Sequence, residues 1–326
     1  MTDPKRILVI KHGALGDFIL AMGPFAAIRT HHPDAHITLL TTKPYAELAE
    51  RSGWFDAVWN DERPRWHAPG AWLALRRRLR KGRFGRVYDL QTSDRSSAYL
   101  RLFPRGARPE WSGIAPSASH PHANPDRDAM HTVERQKEQL AMAGIAEVPP
   151  PDLSWLDADL SAFALPDRFV LLVPGGAPTR PAKRWPAERY AELAASLAAD
   201  GVTPVILGTA AEAEAAAVIA AHCPEALNLL GRTGFAEIAA LARRAEAAIG
   251  NDTGPMHLIA AAGCPSLVLF SSESDPALCA PRGPMIRVLR KENLELLSQA
   301  EIRQAVEGIM RRTDGSAHRT SGSASG

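Results

Sequence analysis

Short apolar runs of strand type alternate with stretches of helix type, and they do so in two separate series along the chain. The first series is "RILVIK" (Arg6 to Lys11), a glycine loop "HGALGD", a helix from Phe18 to His31, "HITLLT", a helix from Pro44, "DAVW", a helix from Ala71 to Lys81, and "RVYDLQ". A strand that returns through a helix re-enters its sheet in the same direction, so this order demands parallel pairing. The runs are continuously apolar rather than alternating, as a sheet covered by helices on both faces requires. From Arg105 to Pro166 the pattern weakens: "SASHPHANPDRDAM" reads as loop, one helix covers Thr132 to Ala143, and "EVPPPDLSWLDADL" reads as a proline-rich connector. The second series then runs "FVLLVPG", a helix from Pro186, "TPVILG", a helix from Ala211, "LNLLG", a helix from Gly234, "AAIG", a helix from Pro255, and "SLVLF". The expected organisation is two Rossmann-like halves, 1–155 and 156–312, with a Ser/Gly-rich tail over 313–326 that reads as disordered.

A chain of 326 residues exceeds what one core usually holds, which agrees with two halves. With 38 basic and 36 acidic residues the formal charge is +2, too near neutral to argue for nucleic acid as a partner. Cys223, Cys264 and Cys279 show neither metal-ligand spacing nor an even count, so a reducing compartment is expected and a disulfide framework is not. No signal-type or membrane-spanning apolar run occurs, and the expected location is cytoplasmic.

In open parallel sheets, ligands bind outside the carboxyl ends of the strands, where helix N-termini offer unpaired N–H groups to anions. Four loops of this chain hold that position. "IGNDTGPMHLIAAAGCPSLVLF" (Ile249 to Phe270) leads from a strand through Asp252, Thr253 and Gly254 into a helix opened by Pro255, with His257 four residues beyond Thr253 on the same helix face. Thr253 suits a phosphate contact and Gly254 a close backbone approach; the alternative is an Asp/Thr cap with a core-facing His. "PGGAPTRPAKRWP" (Pro174 to Pro186) joins two glycines to Arg180, Lys183 and Arg184, which suits a diphosphate or else a solvated basic loop. Trp185 reads as packing that loop onto the next helix. Glu212 in "ILGTAAEAEA" is placed either for ribose hydroxyls or for the first turn of a helix. "KHGALGDF" presents Asp17, and it is not the GxGxxG of a nicotinamide-dinucleotide site.

Taken in order, "VIKHGALGDFILAMGPFAAIR", "PGGAPTRPAKRWP", "VILGTAAEAEA" and "IGNDTGPMHLIAAAGCPSLVLF" resemble glycosyltransferase family 9, the ADP-heptose:lipopolysaccharide heptosyltransferases, over Arg6 to Pro284. The resemblance implies an α/β GT-B fold: two Rossmann-like domains facing across a cleft, the N-terminal one on the acceptor side and the C-terminal one holding a nucleotide-sugar donor, ADP-heptose. It further implies inverting transfer onto a lipopolysaccharide-type glycolipid with neither metal nor cofactor. Carried over by position, Asp17 matches the acid proposed as general base, and Lys183 the lysine that meets the diphosphate. Glu212 matches the ribose-binding acid, and Asp252, Thr253, Gly254 and His257 match the D-T-G-x-x-H donor motif. Arg180 joins Lys183 in stabilising charge on the leaving group. After "VLF" the family often continues Gly-Pro-Thr, whereas Ser271-Ser272-Glu273-Ser274 stands here.

"WLALRRRLRKGRFGR" (Trp72 to Arg86) concentrates Arg76, Arg77, Arg78 and Arg80, which suits an anionic glycolipid and peripheral contact with the inner membrane, or simply a solvated helix end. Two DxD strings, Asp126-Arg127-Asp128 and Asp157-Ala158-Asp159, read as lying away from strand ends, so metal-dependent transfer is a minor reading. Two other functions share the donor loops: a GT-B epimerase or hydrolase of nucleotide sugars, and a nucleotide-sugar-binding protein without chemistry.

Overall fold

The computed structural model describes residues 5–177 and 179–320, the last ten as backbone only. The chain divides into two compact units, residues 1–151 and 152–326, against the junction expected at 155. The first contains β1 (Arg6–Ile10), α1 (Leu15–Leu20), α2 (Met22–His31), β2 (His36–Thr41), α3 (Ala46–Arg51), β3 (Ala57–Asn60), α4 (Pro69–Gly82), β4 (Arg86–Asp89), α5 (Asp94–Ala98), β5 (Glu110–Gly113), β6 (His120–Pro121) and α6 (Thr132–Met142). The second contains β7 (Phe169–Val173), α7 (Ala187–Ala199), β8 (Thr203–Ile206), α8 (Ala213–His222), β9 (Leu227–Asn228), α9 (Phe235–Arg244), β10 (Ala247–Asn251), α10 (Gly254–Ala261), β11 (Ser266–Phe270), α11 (Pro276–Cys279), β12 (Ile286–Arg290) and α12 (Gln299–Thr320). The tail expected from 313 thus begins inside α12 as far as Thr320, and residues 321–326 lie outside the described residues.

Each unit holds one six-stranded sheet, in the orders β3-β2-β1-β4-β5-β6 and β12-β11-β10-β7-β8-β9. Numbered within its own unit, the second order is the first read from the other edge, and all pairings are parallel. The strand order reverses between β1 and β4 in one sheet and between β7 and β10 in the other, the points where doubly wound folds bind ligands. Both sheets are covered on their two faces, which is why Ile7 to Ile10 and Phe169 to Val173 are buried without a gap. In the first unit Leu75 and Leu79 of α4 pack with Leu8, Val87 and Trp111; in the second, Leu193 and Leu197 of α7 and Ile302, Val306 and Ile309 of α12 pack with Ile249 and Leu267.

Sequence and structure differ locally, for physical reasons. The single helix expected over Phe18 to His31 is two helices meeting at Ala21, because Pro24 has no N–H to give the Leu20 carbonyl one turn earlier. The turn ahead of α1 uses Gly13 at φ +114°, where a side chain would also run into the Tyr45 ring. Strands β5, β6 and β12 were not expected. β5 ("EWSG") has one large apolar residue, β6 is two residues with a proline at the sheet edge, and β12 ("IRVLR") is half polar.

The carboxamide of Asn251, at the end of β10, is fully buried and joins three segments. It accepts from the Trp185 N–H (3.0 Å) and the Tyr190 hydroxyl (3.2 Å), and donates to the carbonyls of Pro174 and Gly175 (2.9 Å each). Replacing Asn251 with Leu strands all of these groups in a dry interior. We expect a loss of at least about 3 kcal/mol of stability, measured by urea unfolding. A Leu variant as stable as the parent would show that these partners re-pair without the amide.

Candidate functional site

In the second unit, the segments that leave β7, β10 and β11 converge on Asp252. Lys183 Nζ lies 2.5 Å from Asp252 Oδ2, the Ser274 hydroxyl donates to the same oxygen at 2.7 Å, and His257 Nε2 stands 3.9 Å from Oδ1. Burial pushes the Asp252 carboxyl up, but His257, Lys183 and Ser274 together outweigh it and bring it down to about 2. Lys183 and Asp252, separated by 69 residues, meet because β7 and β10 are neighbours in the sheet.

Thr253 is the N-cap of α10 by backbone geometry (φ −144°, ψ 159°), yet its side chain makes no capping bond. Its Oγ1 is buried without a partner, as is Nδ1 of His257. Gly254 and Pro255 open the helix behind it. A hydroxyl, an imidazole nitrogen and the N–H groups of a helix start are therefore available beside a lysine ammonium, a set that fits phosphate oxygens. Arg184 folds over the glycine loop, donating to the Gly176 carbonyl at 2.7 Å, while Arg180 is exposed to solvent. Trp185 is buried and packs edge-on against Tyr190 of α7, with ring centroids 4.9 Å apart. Glu212 satisfies its helical reading: Oε2 accepts from the Thr209 N–H (2.8 Å) and hydroxyl (2.9 Å). Its other oxygen faces Gly175, where a Cβ would sit 3.0 Å away.

In the first unit a pocket of about 280 Å³ opens at the β1/β4 switch point, with Lys11 and Asp17 from the β1 side, Gln91 and Thr92 from the β4 side, and Arg127, Asp128, Arg135 and Gln139 from α6 and the segment before it. Lys11 is buried, and its ammonium donates to the Leu90 carbonyl at 3.2 Å. Burial pulls Lys11 below the usual lysine range, against the opposing charges of Asp17 and Asp89. Asp89, fully enclosed beneath, is pushed by burial up to about 7 even though Ser96, the Thr92 and Gln91 N–H groups and Lys11 favour its charged form. Its Oδ2 has no hydrogen-bond partner.

The first DxD string is thus not remote from the strand ends: Arg127 and Asp128 line this pocket, and Asp128 pairs with Arg127 (3.0 Å) and Arg135 (3.8 Å). Asp157 pairs with Arg243 at 2.7 Å, and Asp159 accepts from Ser161. Among the described residues no three His, Cys, Asp or Glu side chains converge as metal ligands would. The arginine run is sorted by helix geometry. All four arginines are exposed, but Arg78 lies over the Trp59 ring at 4.5 Å and donates to the Asn60 carbonyl, and Arg80 donates to the Leu102 carbonyl. Lys11, Asp89, Asn251 and Ser274 were missed as site residues. Lys11 and Asn251 carried one signal, a polar residue ending an apolar strand; Ser274 belongs to the segment already noted as departing from the family.

Comparison with known proteins matches residues 72–308 to the family model described as glycosyltransferase family 9 (heptosyltransferase). The lipopolysaccharide heptosyltransferase 2 of Salmonella typhimurium is 28% identical over 311 residues, covering 87% of this chain and 88% of that one. A glycosyltransferase family 9 structure from Veillonella parvula superposes with a TM-score of 0.82 at 22% identity, covering 94% and 97% of the two chains. The structure of E. coli ADP-heptose lps heptosyltransferase II gives 0.75 at 22% identity, covering 95% and 99%. The α/β GT-B class expected from the sequence is the fold these structures share. Since the family model spans most of the chain, from the first unit through α10 and β11, this protein belongs to glycosyltransferase family 9 and is a glycosyltransferase.

Proposed function

We propose that this chain transfers a heptosyl group from ADP-heptose onto a lipopolysaccharide-type glycolipid, with inversion and without a metal. The observation that carries the reading is the cluster of Lys183, Asp252, Thr253 and His257 at the start of α10, where buried polar atoms await a ligand beside an ammonium. The names of the Salmonella and E. coli relatives support the identity of donor and acceptor.

In this reading the donor diphosphate lies on the N-terminal turn of α10, with Lys183 on its oxygens and Asp252 holding Lys183 in place. The acceptor hydroxyl oxygen attacks the anomeric carbon from the face opposite the diphosphate. The bond from that carbon to the phosphate oxygen breaks, its electron pair leaves with ADP, and the hydroxyl proton passes to Asp17. Charge grows on the leaving diphosphate, and Lys183, Arg180 and the helix N–H groups stabilise it in the role a metal takes elsewhere. Glu212 keeps one oxygen for the ribose while the other caps its own turn. The pocket of Lys11, Arg127 and Arg135 receives an anionic group of the acceptor, and Arg76 and Arg77 hold the enzyme to the cytoplasmic face of an anionic membrane. The reading is tested by ADP release with and without a glycolipid acceptor: release that needs the acceptor supports transfer, and release that ignores it supports a hydrolase.

Lys183→Met removes a charge-assisted phosphate contact worth about 1.5–3 kcal/mol, so titration calorimetry should show ADP bound at least about tenfold more weakly. Unchanged ADP affinity would take Lys183 out of the donor site.

Asp17→Asn keeps shape but removes basicity. The transfer rate should fall roughly 10²–10⁴-fold while ADP affinity and melting temperature stay near the parent values. Near-parent turnover by the folded variant would send the search for the base elsewhere in the pocket.

Acid stability follows from Asp252, whose folded value of about 2 lies below the ordinary 3.8. A depressed acid stabilises the fold above its unfolded pKa and loses that contribution as pH falls through about 4 to about 2, here about 2 kcal/mol. With Lys183→Met, burial is less opposed, the folded value rises, and the contribution at neutral pH shrinks. Melting temperature against pH should therefore drop less steeply for the variant below pH ~4; superposable profiles would show that the ion pair does not govern acid stability.

A further inference from the structure

Trp66 is 87% exposed, and Leu73 on α4 is 50% exposed. Loop mobility does not account for the tryptophan, because its turn is pinned from several sides. The Arg63 N–H donates to buried Asp61 at 2.8 Å, Arg95 donates to the Pro64 carbonyl at 2.8 Å, and the Trp72 indole donates to the Arg65 carbonyl at 3.1 Å. The Ala68 N–H closes the turn on the same Arg65 carbonyl at 2.9 Å. Asp61 is itself held from below by His12 (2.8 Å) and the Tyr99 hydroxyl (2.7 Å). A large aromatic side chain is therefore presented to solvent on a fixed turn at the head of α4.

The surroundings define what such a side chain meets. From Arg63 to Arg83 the chain has eight arginines and lysines and no acidic residue, a balance that favours a negatively charged partner. On α4, Arg76 and Arg77 stand three and four residues after Leu73 and share its exposed side, with the Leu75 and Leu79 side buried. An exposed indole and an aliphatic side chain, flanked by cations and backed by a buried face, have the composition of an interfacial membrane anchor.

We propose that Trp66, with Leu73 on α4, inserts into the headgroup region of an anionic bilayer while Arg65, Arg76 and Arg77 remain at its charged surface. This deepens the peripheral membrane reading given above and rests on it: the cations bring the protein to the surface, and the indole sets how long it stays and which way α4 faces.

The test is sedimentation of the full-length protein with vesicles of phosphatidylglycerol and phosphatidylethanolamine, which contain no sugar acceptor, and with vesicles of phosphatidylcholine alone. The parent should bind the anionic vesicles, and Trp66→Ala should bind them roughly tenfold more weakly, with Trp66→Phe between the two. Lipids brominated near the headgroup should quench part of the parent fluorescence and a smaller part in Trp66→Phe. Transfer to a water-soluble acceptor fragment should be the same in parent and Trp66→Ala, which excludes misfolding. If Arg76→Glu/Arg77→Glu abolishes vesicle binding while Trp66→Ala binds like the parent, the electrostatic reading stands and the insertion is overturned. If the parent binds neither vesicle, both fall. If Trp66→Ala instead turns a dimer into a monomer with vesicle binding unchanged, the patch serves self-association and the insertion is overturned.

Discussion

Where β10 ends, the chain must leave a parallel sheet between two loops that have no regular backbone partners, and the amide of Asn251 satisfies both. Its two N–H bonds go to consecutive carbonyls after β7, and its oxygen takes the Trp185 N–H and the Tyr190 hydroxyl. A carboxylate could offer no donors here and an aliphatic side chain nothing at all, so one carboxamide fixes the glycine loop, the start of α7 and the exit of β10 together. The position of Lys183 follows from this. It stands two residues before Trp185, and Asp252 is the residue after Asn251, so the amide that joins the backbones also sets the ion pair.

The two switch points treat buried charge differently. In the second unit, opposite charges and hydroxyls are matched around Asp252, which is held ionised and hydrogen-bonded on several sides. In the first, Lys11 and Asp89 are enclosed with less support; burial works against the charge on each, and an oxygen of Asp89 is left without a partner. The difference is one of pairing: a lysine, a histidine and a hydroxyl outweigh burial at Asp252, whereas burial prevails at Lys11 and Asp89.

What the sequence disclosed and what it hid divide along a physical line. The doubly wound fold was legible because β1, β7, β10 and β11 are apolar on both faces, a pattern only a covered parallel sheet needs. Lys183 and Asp252 were legible as separate loop residues after strands, though only the sheet order brings them to 2.5 Å. Asn251 was not, since an asparagine before an aspartate gives no sign that its partners lie 61 to 77 residues away. The arginine run looked uniform. Yet each step along a helix turns about 100°, so Arg78, though exposed, is carried over the Trp59 ring, while Arg76 and Arg77 fall on the side of Leu73. Glu212 shows a limit of another kind: its two readings were not exclusive, because a carboxylate has two oxygens and the cap uses one.

The repetition of one strand order in both units has a consequence for how such a chain changes over time. Each sheet is complete, with its own six strands, its own helices and its own reversal point, and neither borrows a strand from the other. A substitution that disturbs a strand pairing acts on the hydrogen-bond ladder of its own sheet. Strand pairing in one unit can therefore change over time while the sheet of the other keeps its register.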